Sequence, residues 1–155
     1  MRKLELKYIF NYLFYELKLI DLLTKEFYIL TIDDNMVSDE ISVFDFIEND
    51  NFKPILHPLS DLTKEIEVNG EIFVPLIELT KPFCPGVFKS SLRILSMDRS
   101  NYYEIGCKDY VHKFNKNIDR VEYSDIQKLL EWHFDIYGLI EKNLAIDINV
   151  LNELN

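Results

Sequence analysis

The sequence has little of the glycine, cysteine and histidine on which many enzyme and cofactor sites depend. Only four glycines occur, and none belongs to a Walker loop, a dinucleotide-binding motif or a nucleophile elbow. Neither Cys84 nor Cys107 has a second cysteine at metal-site spacing, and His57, His112 and His133 lie far apart in the sequence. We therefore predict no cofactor, no metal site and no enzymatic activity.

Long apolar runs are also missing. No segment reaches the length of a membrane-spanning helix, and Glu5 and Lys7 interrupt the apolar N-terminal residues, so we expect neither a membrane anchor nor a signal peptide. With only two cysteines, we predict a cytoplasmic protein with reduced thiols. The 155 residues, 48% hydrophobic and 14% aromatic, are enough to bury a core, so we predict a single folded domain over residues 1–155.

Negative charge is what the sequence has in excess. Its 27 acidic and 17 basic side chains give a net charge of −10. A chain with this charge is repelled by nucleic acid and anionic membranes and attracted to basic surfaces. The simpler interpretation is an acidic exterior that only keeps the protein in solution.

Residues 31–50, the acidic segment, contain seven carboxylates and no basic side chain. The carboxylates are Asp33, Asp34, Asp39, Glu40, Asp45, Glu48 and Asp50. Phe44, Phe46 and Ile47 lie among them, which distinguishes the segment from a disordered acidic tail. We predict a solvated acidic face that binds a partner protein. A calcium site at residues 33–35 is the alternative, but the segment lacks the glycine and distant glutamate of an EF-hand loop.

Residues 81–120 have the opposite balance, with eight basic and four acidic side chains, whereas residues 122–155 have seven acids and two bases. The molecule is therefore either electrostatically polarised or neutralised internally. Within residues 108–120, the basic stretch, Lys108, Lys113, Lys116 and Arg120 interleave with Tyr110 and Phe114. Nucleic-acid-binding stripes have this pattern, although the acidic whole disfavours direct nucleic-acid binding.

Hydrophobic spacing predicts helices near both ends of the chain. Residues 4–15 predict a first helix, with a strand as the competing interpretation. The longest helix is predicted over Ser124–Lys142, with Ser124 as N-cap, Trp132 on its apolar face and Asn143 as a left-handed C-cap.

Two hairpins are predicted between these helices. Leu17–Leu23 and Glu26–Ile32 predict one pair of strands, and Asn69-Gly70 predicts a tight turn in the other. The predicted fold class is α+β: an antiparallel sheet of hairpins packed against the long C-terminal helix, with a shorter N-terminal helix.

Isolated candidates for chemistry have structural interpretations that we prefer. On the predicted helix His133 is expected to be partly buried and hydrogen-bonded, with a general base as the alternative. Glu131 and Asp135 are four apart, which predicts two carboxylates on one helical face. Cys84 lies between prolines without a neighbouring cation, so we expect a structural thiol.

Two blocks of the sequence resemble segments shared by small uncharacterised accessory proteins of Bacteroidetes phages and prophages. The first is Lys53–Ile66 followed by Val68–Glu71, and the second is Ile126–Asp135 with Gly138–Lys142 and Leu144–Asn149. Together they cover roughly a third of the chain. His57 replaces an expected arginine and Asn143 an expected glycine, and the second change preserves left-handed capping.

This resemblance implies a context and no catalytic residues. Small phage accessory proteins often act on host proteins, so the leading hypothesis is an inhibitor in the bacterial cytoplasm. Its partner would be a host protein or ribonucleoprotein complex with a basic surface, such as a CRISPR effector (an anti-CRISPR role). The alternative is a nucleic-acid-handling accessory protein or a small enzyme that uses the basic stretch.

Overall fold

The computed structural model describes residues 4–32, 37–84, 92–96, 101–107 and 110–153. The chain divides into two compact units. Unit 1 comprises Met1–Pro58 and Leu129–Asn155, and unit 2 comprises Leu59–Lys128. The single domain over residues 1–155 stays a prediction.

Unit 1 is built on a five-stranded mixed sheet. Its strands are β1 (Lys18–Asp21), β2 (Phe27–Thr31), β3 (Glu40–Ser42), β4 (Phe52–Leu56) and β10 (Ile146–Asp147), in the order β10-β4-β1-β2-β3. The β1–β2 hairpin is confirmed, with shorter strands than predicted. The β2–β3 and β4–β10 pairs are parallel, so the sheet is only partly built from antiparallel hairpins.

The predicted N-terminal helix is confirmed. Its first turn, α1 (Leu6–Ile9), continues as a 3₁₀ helix over Phe10–Tyr15. Ile9 and Tyr12 are fully buried, and the Tyr12 hydroxyl donates a hydrogen bond to the Phe134 carbonyl at 2.7 Å. The tyrosine hydroxyl therefore ties this helix to the C-terminal part of unit 1.

The prediction of a long C-terminal helix is wrong in its extent. Helix α4 (Tyr123–Glu131) begins one residue before the predicted cap, Ser124, and ends eleven residues before Lys142. His133 is left-handed, with φ 57°, and its amide donates to the Leu130 carbonyl. The Phe134 amide donates to the Leu129 carbonyl, which completes a Schellman motif.

Residues 135–145 form turns in place of the predicted helix. Asn143 is left-handed as predicted, with φ 58°, and the Asn143 and Leu144 amides donate to the carbonyls of Ile140 and Leu139. The capping chemistry of Asn143 is therefore confirmed, but it closes a short turn. A short helix, α5 (Ile148–Glu153), follows β10.

The described residues of unit 2 contain two antiparallel sheets, a short helix and most of α4. The first sheet pairs β5 (Ile66–Val68) with β6 (Glu71–Phe73), and the second has the order β7 (Arg93–Ser96), β8 (Tyr102–Cys107), β9 (Tyr110–Asn115). Asn69 and Gly70 have φ values of 53° and 82°, which confirms the predicted turn. Pro75 ends the hairpin and begins α3 (Pro75–Thr80).

The α+β fold class is thus confirmed, without the single long helix. In the described part of the chain, no helix combines the length and the apolar character needed to cross a membrane.

Candidate partner-binding surface

The described part of the acidic segment folds into β3, helix α2 (Val43–Glu48) and a turn. The Ser42 hydroxyl caps α2: it accepts a hydrogen bond from the Asp45 amide at 3.1 Å and donates one to the Asp45 carboxylate at 2.8 Å. The Asn49 amide donates to the Asp45 carbonyl at the other end. This short helix is therefore held at both ends by hydrogen bonds within its own segment.

The predicted carboxylates have different surroundings. Asp33 and Asp34, and with them the calcium alternative at residues 33–35, lie outside the described residues. Glu40 accepts a hydrogen bond from the Val37 amide at 3.2 Å. Asp39, Asp45, Glu48 and Asp50 are exposed. The segment thus presents carboxylates to solvent, as a solvated acidic face requires.

Helix α2 is amphipathic with one exception. Val43 and Phe46 are buried, whereas Asp45 and Glu48 face solvent. Phe44 lies on the solvent side, and 75% of its surface is exposed. The sequence interpretation did not distinguish Phe44 from Phe46. The helical spacing of Val43, Phe46 and Ile47 contains the signal, because it places Phe44 on the opposite face.

Charge is distributed unequally between the two units. Unit 1 has seven basic and sixteen acidic side chains, a net −9, and unit 2 has ten basic and eleven acidic side chains, a net −1. The positive balance of residues 81–120 is therefore offset within unit 2. Lys81 pairs with Glu78, and Lys113 Nζ lies 3.6 Å from the Glu104 carboxylate across the β8–β9 pair.

In the described part of the basic stretch, the Phe114 ring is not presented together with the cationic side chains. Lys113 and Phe114 are adjacent in β9 and so point to opposite faces, with Lys113 exposed and Phe114 only 4% exposed. Lys116 Nζ lies 4.9 Å from the centre of the Tyr103 ring, and Arg120 is exposed. Lys108 lies outside the described residues. A buried ring cannot stack on a base, which weakens the nucleic-acid interpretation.

Comparison with known proteins finds no matching family model, no similar curated protein and no similar solved structure.

His133 is partly buried and hydrogen-bonded, as predicted, although it follows the helix instead of lying on it. Its Nε2 atom is 2.6 Å from the Tyr15 carbonyl, so this nitrogen carries the proton that it donates. Burial lowers the pKa of His133, an effect that the Tyr15 carbonyl opposes and nearby His57 and Lys18 reinforce. The neutral, donating tautomer has a structural role here.

The predicted pair of helical carboxylates is not formed. Because α4 ends at Glu131, Asp135 lies beyond the helix and is only 5% exposed. Its two oxygens accept hydrogen bonds from the Leu139 and Ile140 amides at 2.7 and 2.8 Å. Asp135 therefore organises the turn that replaces the predicted helix.

The remaining candidates lie in unit 2. Cys84 is buried, as a structural thiol requires. The Phe83 and His112 rings stack with their centres 4.7 Å apart. Burial raises the pKa of Asp125, and the electrostatic effect of His112 opposes this rise. In the described part of the chain, no three His, Cys, Asp or Glu side chains form a group suited to a metal ion.

Proposed function

We propose that this protein binds a basic surface of another protein through the acidic segment. The observation that carries the proposal is the concentration of charge. Nearly all of the net charge belongs to unit 1, and the acidic segment of that unit exposes Asp39, Glu48 and Asp50 together with the ring of Phe44.

Exposed carboxylates of one sign act mainly on association. They attract a basic partner over distances up to about a Debye length, roughly 8 Å at physiological salt. The attraction raises the association rate and disfavours acidic partners, including nucleic acid. The capped helix α2 supports this role because little conformational entropy is lost when a rigid element forms a contact.

We further propose that the partner is a host defence complex, such as a CRISPR effector, which this protein inhibits. The support is the resemblance of Lys53–Ile66 and Ile126–Asp135 to phage accessory proteins. An effector holds RNA in a positively charged channel, which is complementary to an acidic ligand. Binding to such a channel requires no catalytic residue, and the absence of enzymatic activity stays a prediction.

The test begins with affinity purification from host lysate, with and without nuclease treatment, to separate protein partners from nucleic-acid-mediated ones. Association of the purified partner is then measured against salt concentration. The triple variant Asp39→Lys, Glu48→Lys, Asp50→Lys should associate about tenfold more slowly at low salt and show a weaker salt dependence.

A matched control separates the surface from the total charge. The variant Glu65→Lys, Glu67→Lys, Glu71→Lys reverses three exposed carboxylates of unit 2 and produces the same net charge. We expect it to change the association rate much less. Equal effects of the two triple variants would mean that total charge acts alone, and binding indifferent to salt and to both variants would contradict the proposal.

The alternative proposal, a nucleic-acid contact through Lys108, Lys113, Lys116 and Arg120, has less support because Phe114 is buried and unit 2 is nearly neutral. If the purified partner is lost on nuclease treatment, and Lys113→Glu with Arg120→Glu abolishes its capture, this alternative replaces the first proposal.

A further inference from the structure

Packing of α2 against the rest of unit 1 does not explain why position 44 is a phenylalanine. The interior side of α2 is already filled by Val43 and Phe46, and 75% of the Phe44 surface remains exposed. In an α-helix, residues four apart lie on one face, so Phe44 shares the solvent side with Glu48. The Phe44 ring therefore lies on the same side of this short, Ser42-capped helix as the Glu48 carboxylate.

An exposed apolar side chain is common on protein surfaces and by itself needs no explanation. Two properties together distinguish Phe44, since Ile32 and Val37 are also exposed in the acidic segment but lie outside its helix. Phe44 belongs to a helix held at both ends, so its backbone is already ordered before binding. It also lies within the segment whose carboxylates attract a basic partner, and aromatic residues inside a polar rim often contribute most of the binding energy at interfaces.

We propose that Phe44 is the apolar anchor of the contact, and that the partner presents aliphatic side chains bordered by lysine and arginine. This inference rests on the proposed function and identifies the surface of the partner that would satisfy it. Charge complementarity favours such a partner over a second copy of the chain. A second copy would bring two units of net charge −9 together, whereas a basic surface would neutralise the charge of one unit. The carboxylates determine the encounter, and the ring determines how long the complex lasts.

The test uses two synthetic peptides as probes, which makes it independent of the partner. Both have the same length and the same lysines and arginines. In one the remaining residues are leucine, and in the other they are serine. Titration of the ¹⁵N-labelled protein, followed by amide chemical shifts, measures both the affinity and the location of weak binding.

We expect the leucine peptide to bind about five- to tenfold more tightly than the serine peptide. This is the gain in affinity expected when one aliphatic side chain is buried against an exposed ring. The largest shifts should occur at the amides of α2. Phe44→Ser should abolish the preference and leave the salt-dependent attraction to both peptides. The matched control is Phe14→Ser, which removes another phenylalanine of unit 1 that is 72% exposed and should retain the preference.

The outcomes separate this inference from the proposed function. If both peptides bind the acidic segment equally and in a salt-dependent way, Phe44 is not the anchor, and the proposed function still holds. The same conclusion follows if the preference for the leucine peptide survives Phe44→Ser. If neither peptide binds in a salt-dependent way, both are overturned. Amide spectra that change only around each substituted residue would establish that the substitutions did not alter the fold.

Discussion

Substitution of Asp135 should destabilise unit 1 strongly, because its carboxylate organises the turn that follows α4. Its two oxygens accept hydrogen bonds from the Leu139 and Ile140 amides at 2.7 and 2.8 Å, and the residue is buried. Hydrogen bonds to a charged group contribute about 1.5–3 kcal/mol each, and a buried amide left without an acceptor carries its desolvation cost. We therefore expect Asp135→Ala to lower the free energy of unfolding by about 3–5 kcal/mol.

Two further variants grade the effect. Asp135→Asn retains one oxygen and the side-chain volume, so about half of the loss is expected. Asp147→Ala removes a half-buried carboxylate that caps only the Asn149 amide at 2.9 Å, and it should cost about 1 kcal/mol.

Urea unfolding followed by fluorescence provides the measurement. The single tryptophan, Trp132, belongs to unit 1, so its emission reports the unfolding of that unit. A loss below about 0.5 kcal/mol for Asp135→Ala, or the same loss for the alanine variants of Asp135 and Asp147, would refute the reasoning.

Two more predictions concern the residues next to this turn. Trp132 is 7% exposed, so Trp132→Ala should lower the free energy of unfolding by about 3–5 kcal/mol, measured by circular dichroism; a loss within about 0.5 kcal/mol would contradict its burial. Burial lowers the pKa of His133 in the folded state. As pH falls below about 6.5, the unfolded chain therefore takes up the proton first, and stability is lost until the folded pKa is reached. Asparagine tolerates the left-handed backbone, so His133→Asn should reduce the pH dependence of the free energy of unfolding. If the slope of that free energy between about pH 7 and pH 5 is unchanged in the variant, groups other than His133 cause the dependence.

The features that could be predicted depend only on residues that are adjacent in the sequence. Asn69-Gly70 favours two consecutive positive φ values whatever surrounds it, and the hairpin forms there. Asn143 adopts the left-handed conformation for the same reason. The β1–β2 pair follows from two short apolar runs, Leu17–Leu23 and Glu26–Ile32, that are joined by a tight connection.

The end of helix α4 could not be predicted in this way. The apolar spacing continues through residues 132–140, and His133 carries no strong signal for a left-handed residue. The backbone of His57, far away in the sequence, decides the outcome: its amide donates to the His133 carbonyl at 2.8 Å, and its carbonyl accepts from the Asp135 amide at 2.9 Å. The fully buried Phe134 is thereby paired with His57, the residue that directly follows β4.

The candidate surface shows the same division. Composition alone determined that the acidic segment has seven carboxylates and no basic side chain. Exposure of such carboxylates could also be expected, because charged side chains are almost never fully buried unless paired. Helical spacing separates Phe44 from Phe46, but only the tertiary structure decided which of the two faces the core. It also decided that the bases of residues 81–120 belong to a nearly neutral unit. The physical reason is that charge is a property of each residue, whereas burial is created by the elements that pack against it.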